Sequence, residues 1–137
     1  NIISKKKTLL KLLPKYSVLT PHVKELERLV GKWTDDFDKL KKTKALAKKH
    51  DLVIVIKGAH TITVFNGKLH VNSTGNPALA TAGSGDVLTG IITGLISQGY
   101  EPISATIFGV YLQVCLCILM LDICLLIVYL YFLLVIL

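Results

Sequence analysis

A chain of 137 residues has room for one domain and a modest core. Its net charge of +7 is unevenly placed: residues 1–50 carry 14 Lys/Arg against 5 Asp/Glu, and residues 51–137 carry 2 against 4. No aromatics interleave with the lysines, which argues for a solvated basic surface and against a nucleic-acid site; Cys115, Cys117 and Cys124, without a Cys-x-x-Cys pair, exclude a disulfide framework or zinc knuckle and fit reduced cytoplasmic thiols.

Residues 1–15 are basic and apolar, and Pro14 stops any helix there. Ser17 to Thr20 reads as a short strand ending at Pro21. A helix from Pro21 places Val23, Leu26, Leu29 and Val30 on one side and stops at Gly31, with Pro and Gly as start and stop signals. Asp35 to His50 is a Lys-rich second helix with a narrow apolar stripe of Phe37, Leu40, Leu46 and Ala47, and Trp33 is placed where the two helices meet. Leu52 to Ile56 is a fully apolar, β-branched run, the pattern of a buried parallel strand. Lys57-Gly58 follows at its C-terminal end, the edge where open α/β sheets gather ligands. Asn66-Gly67 between Thr61–Phe65 and Lys68–Asn72 signals a hairpin.

The stretch Asn72 to Gly94 joins a loop of Gly, Pro and small polar residues to a helix at Gly85-Asp86. From there Val87, Leu88, Ile91, Ile92, Leu95 and Ile96 form a helical stripe to about Gln98. Such a junction is an anion site: free helix amides point outward and glycines let a phosphate approach. An acid beside a bound phosphate repels it, so Asp86 either caps its own helix, takes a proton from an attacking hydroxyl, or holds a metal ion between phosphates. Gly90 and Gly94, four apart on one face, permit close helix packing. Pro102 opens another helix through Tyr111.

Gly75-Asn76-Pro77 through Gly90 resembles the signature Gly-Asn-Pro-Gly-Met-Ala-Thr-Gly-Gly-Ser-Gly-Asp-Val-Leu-Thr-Gly of the NAD(P)H-hydrate dehydratases, a branch of the ribokinase-like superfamily. Ala78-Leu79 stands for Gly-Met, and Ala82 for the first Gly of the pair. Thr20-Pro21-His22 with Glu25 is similar to the family's Thr-Pro-His-Pro-Gly-Glu, and Lys57-Gly58-Ala59-His60-Thr61 to its Lys-Gly-x-x-Thr. The resemblance covers about Leu13 to Leu112. It implies an α/β fold: the C-terminal part of a ribokinase-like three-layer domain with a mostly parallel sheet and a β-hairpin. It also implies a lyase of metabolite repair. The S epimer of hydrated NADH or NADPH (NADHX, NADPHX) would be dehydrated with consumption of ADP or ATP, aided by Mg2+.

By the same resemblance Asp86 is the catalytic residue, and Asp86 and His22 contact the hydrated substrate. Lys57, Gly58, Ala59, His60, Thr61, Gly83, Ser84 and Gly85 bind the nucleotide. Asn72, Thr74, Gly75 and Asn76 form the structural part of the phosphate loop, and no residue is assigned as a metal ligand. A homo-oligomer, an epimerase domain fused ahead of this one and a cytoplasmic setting are also implied. A whole ribokinase-like domain is about twice this long, so the chain is expected to be a C-terminal portion, inactive alone.

After Gln113 the resemblance ends. Val114 to Leu137 holds one charged residue, Asp122, among Leu, Ile, Val, Cys, Tyr and Phe. Residues 1–112 therefore separate from a divergent tail, 113–137, expected as an atypical apolar helix. It reads as a frameshifted translation, a membrane anchor or a buried helix. Two other functions remain open: a ribokinase-like kinase of a vitamin or small alcohol, and a membrane-anchored basic protein without enzymatic activity.

Overall fold

The structure is a computed structural model that describes residues 2–58, 60–75 and 83–136, with side chains as far as residue 119. After a short helix α1 (Ile2–Lys5) and a 3-10 turn (Lys7–Leu12), the order is β1 (Val18–Leu19), α2 (Val23–Val30), α3 (Asp36–His50), β2 (Val53–Ile56), β3 (Ile62–Phe65), β4 (Lys68–Val71), α4 (Ser84–Ser97) and α5 (Pro102–Ile136). The sheet runs β1-β2-β3-β4.

Strands β1 and β2 pair in parallel, Val18 with Val53, as expected when a helical crossover joins two strands. The hairpin then adds two antiparallel pairings, so this part of the sheet is mixed. Asn66 and Gly67 take φ of 45° and 75°, the left-handed pair that a two-residue hairpin turn requires.

Strand β2 is buried along its whole length because helices cover both faces of the sheet. Ile54 and Ile56 join Leu26 and Leu29 of α2, Ala47 of α3 and Val64 of β3 on one face. Val55 points the other way, to Leu88 and Ile92 of α4 and Ala105 and Val110 of α5. The period-two alternation of one apolar strand thus builds three layers.

Helix α3 meets its sequence signals closely. Asp35 caps it, accepting the Asp38 amide at 2.7 Å, and Asp51 ends it in the left-handed conformation. Acids in its first turn and Lys48, Lys49 and His50 in its last complement the helix dipole. The expected stripe is corrected in part: Phe37 is 85% exposed, and the buried residues are Thr43 and Ala47. Small side chains let α3 lie close on the sheet, and Thr43 satisfies its hydroxyl on the Lys39 carbonyl at 2.8 Å. Trp33 packs against the α2–α3 core, as expected, with the Lys39 ammonium 5.9 Å from its ring centre.

Helix α4 starts at Ser84, two residues earlier than the apolar pattern suggests, so Asp86 lies inside its first turn. Leu88 and Ile92 are buried as expected, but Val87 is 56% exposed. The packing that Gly90 and Gly94 permit is not used among the described residues, where a side chain would have open space at either position. The close approach is at Gly109 of α5 instead, where a Cβ would lie 2.9 Å from Ile92 Cγ1. Helix α5 crosses residues 112 and 113 without a break, and Val114 is still buried.

Candidate active site

Parallel pairing of β1 and β2 brings their C-terminal ends to the same edge of the sheet. β1 leads there into Thr20, Pro21 and His22, and β2 into Lys57. Helix α4 presents its N-terminus to that edge. The three segments enclose a cleft of about 440 Å³ lined by Thr20, Pro21, His22, Glu25, Lys57, Gly85, Asp86 and Thr89, with Ile3, Ser4, Leu19 and Leu29 behind.

Gly83 starts α4 at φ 84°, with no side-chain cap. The amides of Asp86 and Val87 already reach the Gly83 carbonyl, at 3.0 and 3.1 Å. Those of Ser84 and Gly85 have no acceptor within the helix, because no turn precedes them. The Lys57 ammonium lies over this end, 2.6 Å from where a Cβ on Gly85 would stand. Any side chain at residue 85 would push the ammonium aside, so glycine is needed for this approach. A cation set against the positive end of a helix dipole is unfavourable unless an anion lies between them. Asp86 is exposed in the same cleft.

Two threonines brace the cleft. Thr89 donates to the Gly85 carbonyl at 2.9 Å, and the Thr20 hydroxyl lies 3.3 Å from the Thr89 hydroxyl, tying the end of β1 to α4. From α5, the Gln113 amide donates to the Ser84 carbonyl and fixes the start of α4 from behind.

His22 lines the cleft and also caps α2. Its Nδ1 accepts the Glu25 amide at 3.4 Å, and Glu25 Oε2 accepts the His22 amide at 3.0 Å, a reciprocal capping box. Burial pushes the Glu25 carboxyl up, but hydrogen bonding led by the His22 amide outweighs it, and the net shift is downward. The imidazole is half-exposed, with Nε2 3.6 Å from Glu25, so its ring orientation is set by the helix start.

Of the residues singled out in the sequence, His22, Lys57, Gly85 and Asp86 meet in this cleft. Gly83 and Ser84 form the helix start beneath it. Gly58, His60, Thr61, Thr74 and Gly75 are not among the residues lining it. Ala59 and Asn76 lie outside the described residues. Asn72 is buried: its amide donates to the Thr61 carbonyl at 2.9 Å, and its Oδ1 accepts from the Thr74 hydroxyl at 2.8 Å. It therefore holds the loop at the hairpin's exit, and lines a separate cleft of about 390 Å³ between β4 and α5 with His70, Phe108 and Tyr111. Among the described residues, no three His, Cys, Asp or Glu cluster as a metal site.

Sequence reasoning missed Thr89 and Gln113. Thr89 stands three residues after Asp86, on the same helix face, a spacing that could have pointed to it. Gln113 is the last uncharged amide before the apolar run, but its bond to Ser84 spans 29 residues and leaves no local signal.

Residues 1–121 match the carbohydrate-kinase family described as NAD(P)H-hydrate dehydratase. The bifunctional NAD(P)H-hydrate repair enzyme of Moorella thermoacetica is 46% identical over 99 residues, which are 70% of this chain and 19% of that protein. The ADP-dependent (S)-NAD(P)H-hydrate dehydratase of Bacillus subtilis is 38% identical over 99 residues, 70% of this chain and 36% of that protein. The crystal structure of the Bacillus subtilis ADP/ATP-dependent NAD(P)H-hydrate dehydratase, co-crystallised with ATP/Mg2+, superposes with a TM-score of 0.67 at 36% identity, over 80% of this chain and 42% of that one. The chain thus spans well under half the length of these relatives.

Proposed function

This chain belongs to the NAD(P)H-hydrate dehydratase family, and on that premise we propose that it carries the C-terminal part of a nucleotide-dependent dehydratase of hydrated NADH and NADPH. The catalytic part extends past residue 112, since the family match runs to residue 121 and Gln113 and Val114 still pack on the body, and only the remainder of α5 is a segment apart from it. The observation that carries the reading is the Lys57 ammonium held over the uncapped start of α4, with Asp86 in the same cleft.

That arrangement fits a nucleotide's terminal phosphate. The Ser84 and Gly85 amides donate to its oxygens, and Lys57 neutralises their charge. A bound nucleotide supplies the phosphoryl group that turns a poor leaving group, hydroxide, into a good one, phosphate. Asp86 accepts the proton of the ring hydroxyl as that oxygen attacks. The same amides hold the charge that develops in transfer. Asp86 and Glu25 are the carboxylates lining the cleft, so Mg2+ would be held mainly by nucleotide phosphates with Asp86, its usual manner of binding. His22, oriented by its capping box, borders the space left for the substrate ring. ADP and ATP both fit this chemistry. A cytoplasmic setting, a homo-oligomer and a preceding epimerase domain belong to the same proposal.

The test is a chimera in which residues 13–112 replace the matching segment of the Bacillus subtilis dehydratase. It should convert hydrated NADPH to NADPH with ADP or ATP, read by the return of dihydropyridine absorbance. Lys57→Ala in it should weaken nucleotide binding by about tenfold or more. A folded chimera that phosphorylates hydroxymethylpyrimidine or another small alcohol, and leaves hydrated NADPH untouched, would replace the lyase reading with the kinase reading. The isolated chain is expected to show no turnover, since it spans 42% of the Bacillus subtilis enzyme on which it superposes.

A further inference from the structure

We infer that the second half of α5, residues 115–136, is an anchor that embeds in the hydrocarbon core of a lipid bilayer. The inference does not depend on the dehydratase reading.

Helix α5 has two parts that differ in packing. In the first, Ala105, Thr106, Gly109, Val110 and Val114 are buried at helical spacing against the body. Of the side chains described beyond Val114, those of residues 115–119, none is buried, and the helix continues to Ile136. Leu116, Ile118 and Leu119 are 46%, 45% and 52% exposed.

The remaining length fits one kind of partner. Residues 115–136 extend about 33 Å at 1.5 Å per residue, and a bilayer's hydrocarbon core is about 30 Å thick. Fifteen of these residues are Leu, Ile, Val or Phe, and Asp122 is the single charge. A helix that pairs with protein keeps an apolar seam and a polar outer face. This segment is apolar all round, so a second copy or a protein groove would leave most of it in water. A helix also satisfies its own backbone groups, which lipid demands.

The full 137-residue chain, purified in detergent, would be reconstituted with neutral phosphatidylcholine vesicles and floated on a density gradient. It should float with the lipid at low salt, in about 1 M salt, where screening falls to roughly 3 Å, and after an alkaline carbonate wash. Leu126→Arg, a charge in mid-segment, should cut the vesicle-bound fraction about tenfold or more. Phe37→Arg, on the exposed face of α3, should leave it unchanged. Circular dichroism in detergent confirms that both variants keep the parent's helix content. Flotation lost in high salt would assign binding to the basic surface of residues 1–50 and overturn the inference. So would undiminished flotation of Leu126→Arg, a protein pellet that excludes lipid, or a water-soluble dimer that ignores the vesicles.

Discussion

Helix α3 begins on Asp35, whose carboxylate takes the Asp38 amide at 2.7 Å; helix α4 begins on Gly83, which has no side chain to offer. Helix α2 resembles α3, since His22 and Glu25 close its first turn reciprocally. Two helices thus close their first turn with a side chain, whereas among the described residues no side chain caps the third, which starts beneath a lysine. A capped start contributes stability at home, whereas an open one forgoes about 1 kcal/mol so that an outside anion can provide the bonds.

The contrast is broken most severely at Asp86. In the chimera, Asp86→Asn should lower turnover about 10²- to 10⁴-fold, the usual contribution of a general base. Nucleotide binding should persist, because shape is kept and a repelling charge is removed. Turnover within tenfold of the parent would take Asp86 out of the chemistry and return it to the bland role of a residue in a helix's first turn.

Gly85→Ala sharpens the comparison by pulling stability and affinity apart. A Cβ there would meet Lys57 Nζ at 2.6 Å, and the flexible end of the lysine can move away. Ala is the better helix former by up to about 1 kcal/mol, so the melting temperature should hold or rise. Nucleotide affinity should fall about tenfold, since the ammonium leaves the phosphate position. Affinity and stability falling together would mean that the glycine serves the fold alone.

The reverse pattern belongs to α3. Asp35→Ala should cost about 1 kcal/mol in a urea melt and leave nucleotide affinity untouched. The smallest effect is at Asp38, whose carboxyl is held below its ordinary value by the hydrogen bond from Lys42 Nζ at 2.7 Å, with the Thr34 amide adding to it. A carboxylate depressed in the folded state adds stability that is complete above its unfolded value of 3.8 and is lost as pH falls through the lower folded value. Urea midpoints of the parent and Asp38→Asn should therefore differ most above that pH and converge in stronger acid.

Much of this fold could be read from local chemistry. The hairpin followed from Asn66-Gly67, the central strand from an unbroken β-branched run, and the limits of α3 from Asp35 and its lysine-rich last turn. The errors share one cause: a periodic pattern marks a face, but what covers that face comes from distant chain. Phe37 and Val87 fit their stripes and yet stay exposed, because nothing among the described residues packs over them. Gly90 and Gly94 permit close helix packing, but the close approach is made at Gly109. In the cleft, His22, Lys57, Gly85 and Asp86 were legible because each stands beside a short motif. The Thr20–Thr89 bridge joins residues 69 apart, and neither side announces the other.

The register of Val18 on Val53 also orders events in time. Two short strands must wait for α2, α3 and the chain between them to be made before they can meet. The β3–β4 hairpin closes over two residues and β2 adds beside it, contacts that form on the microsecond scale of local structure. Pairings between remote segments form more slowly. The site should therefore assemble in sequence, with Lys57 in place beyond the end of β2 before Thr20 and His22 arrive beyond the end of β1. In pulse-labelled hydrogen exchange on refolding, hairpin amides should gain protection first, and the Val53 amide, bonded to the Ser17 carbonyl at 3.0 Å, should lag behind them.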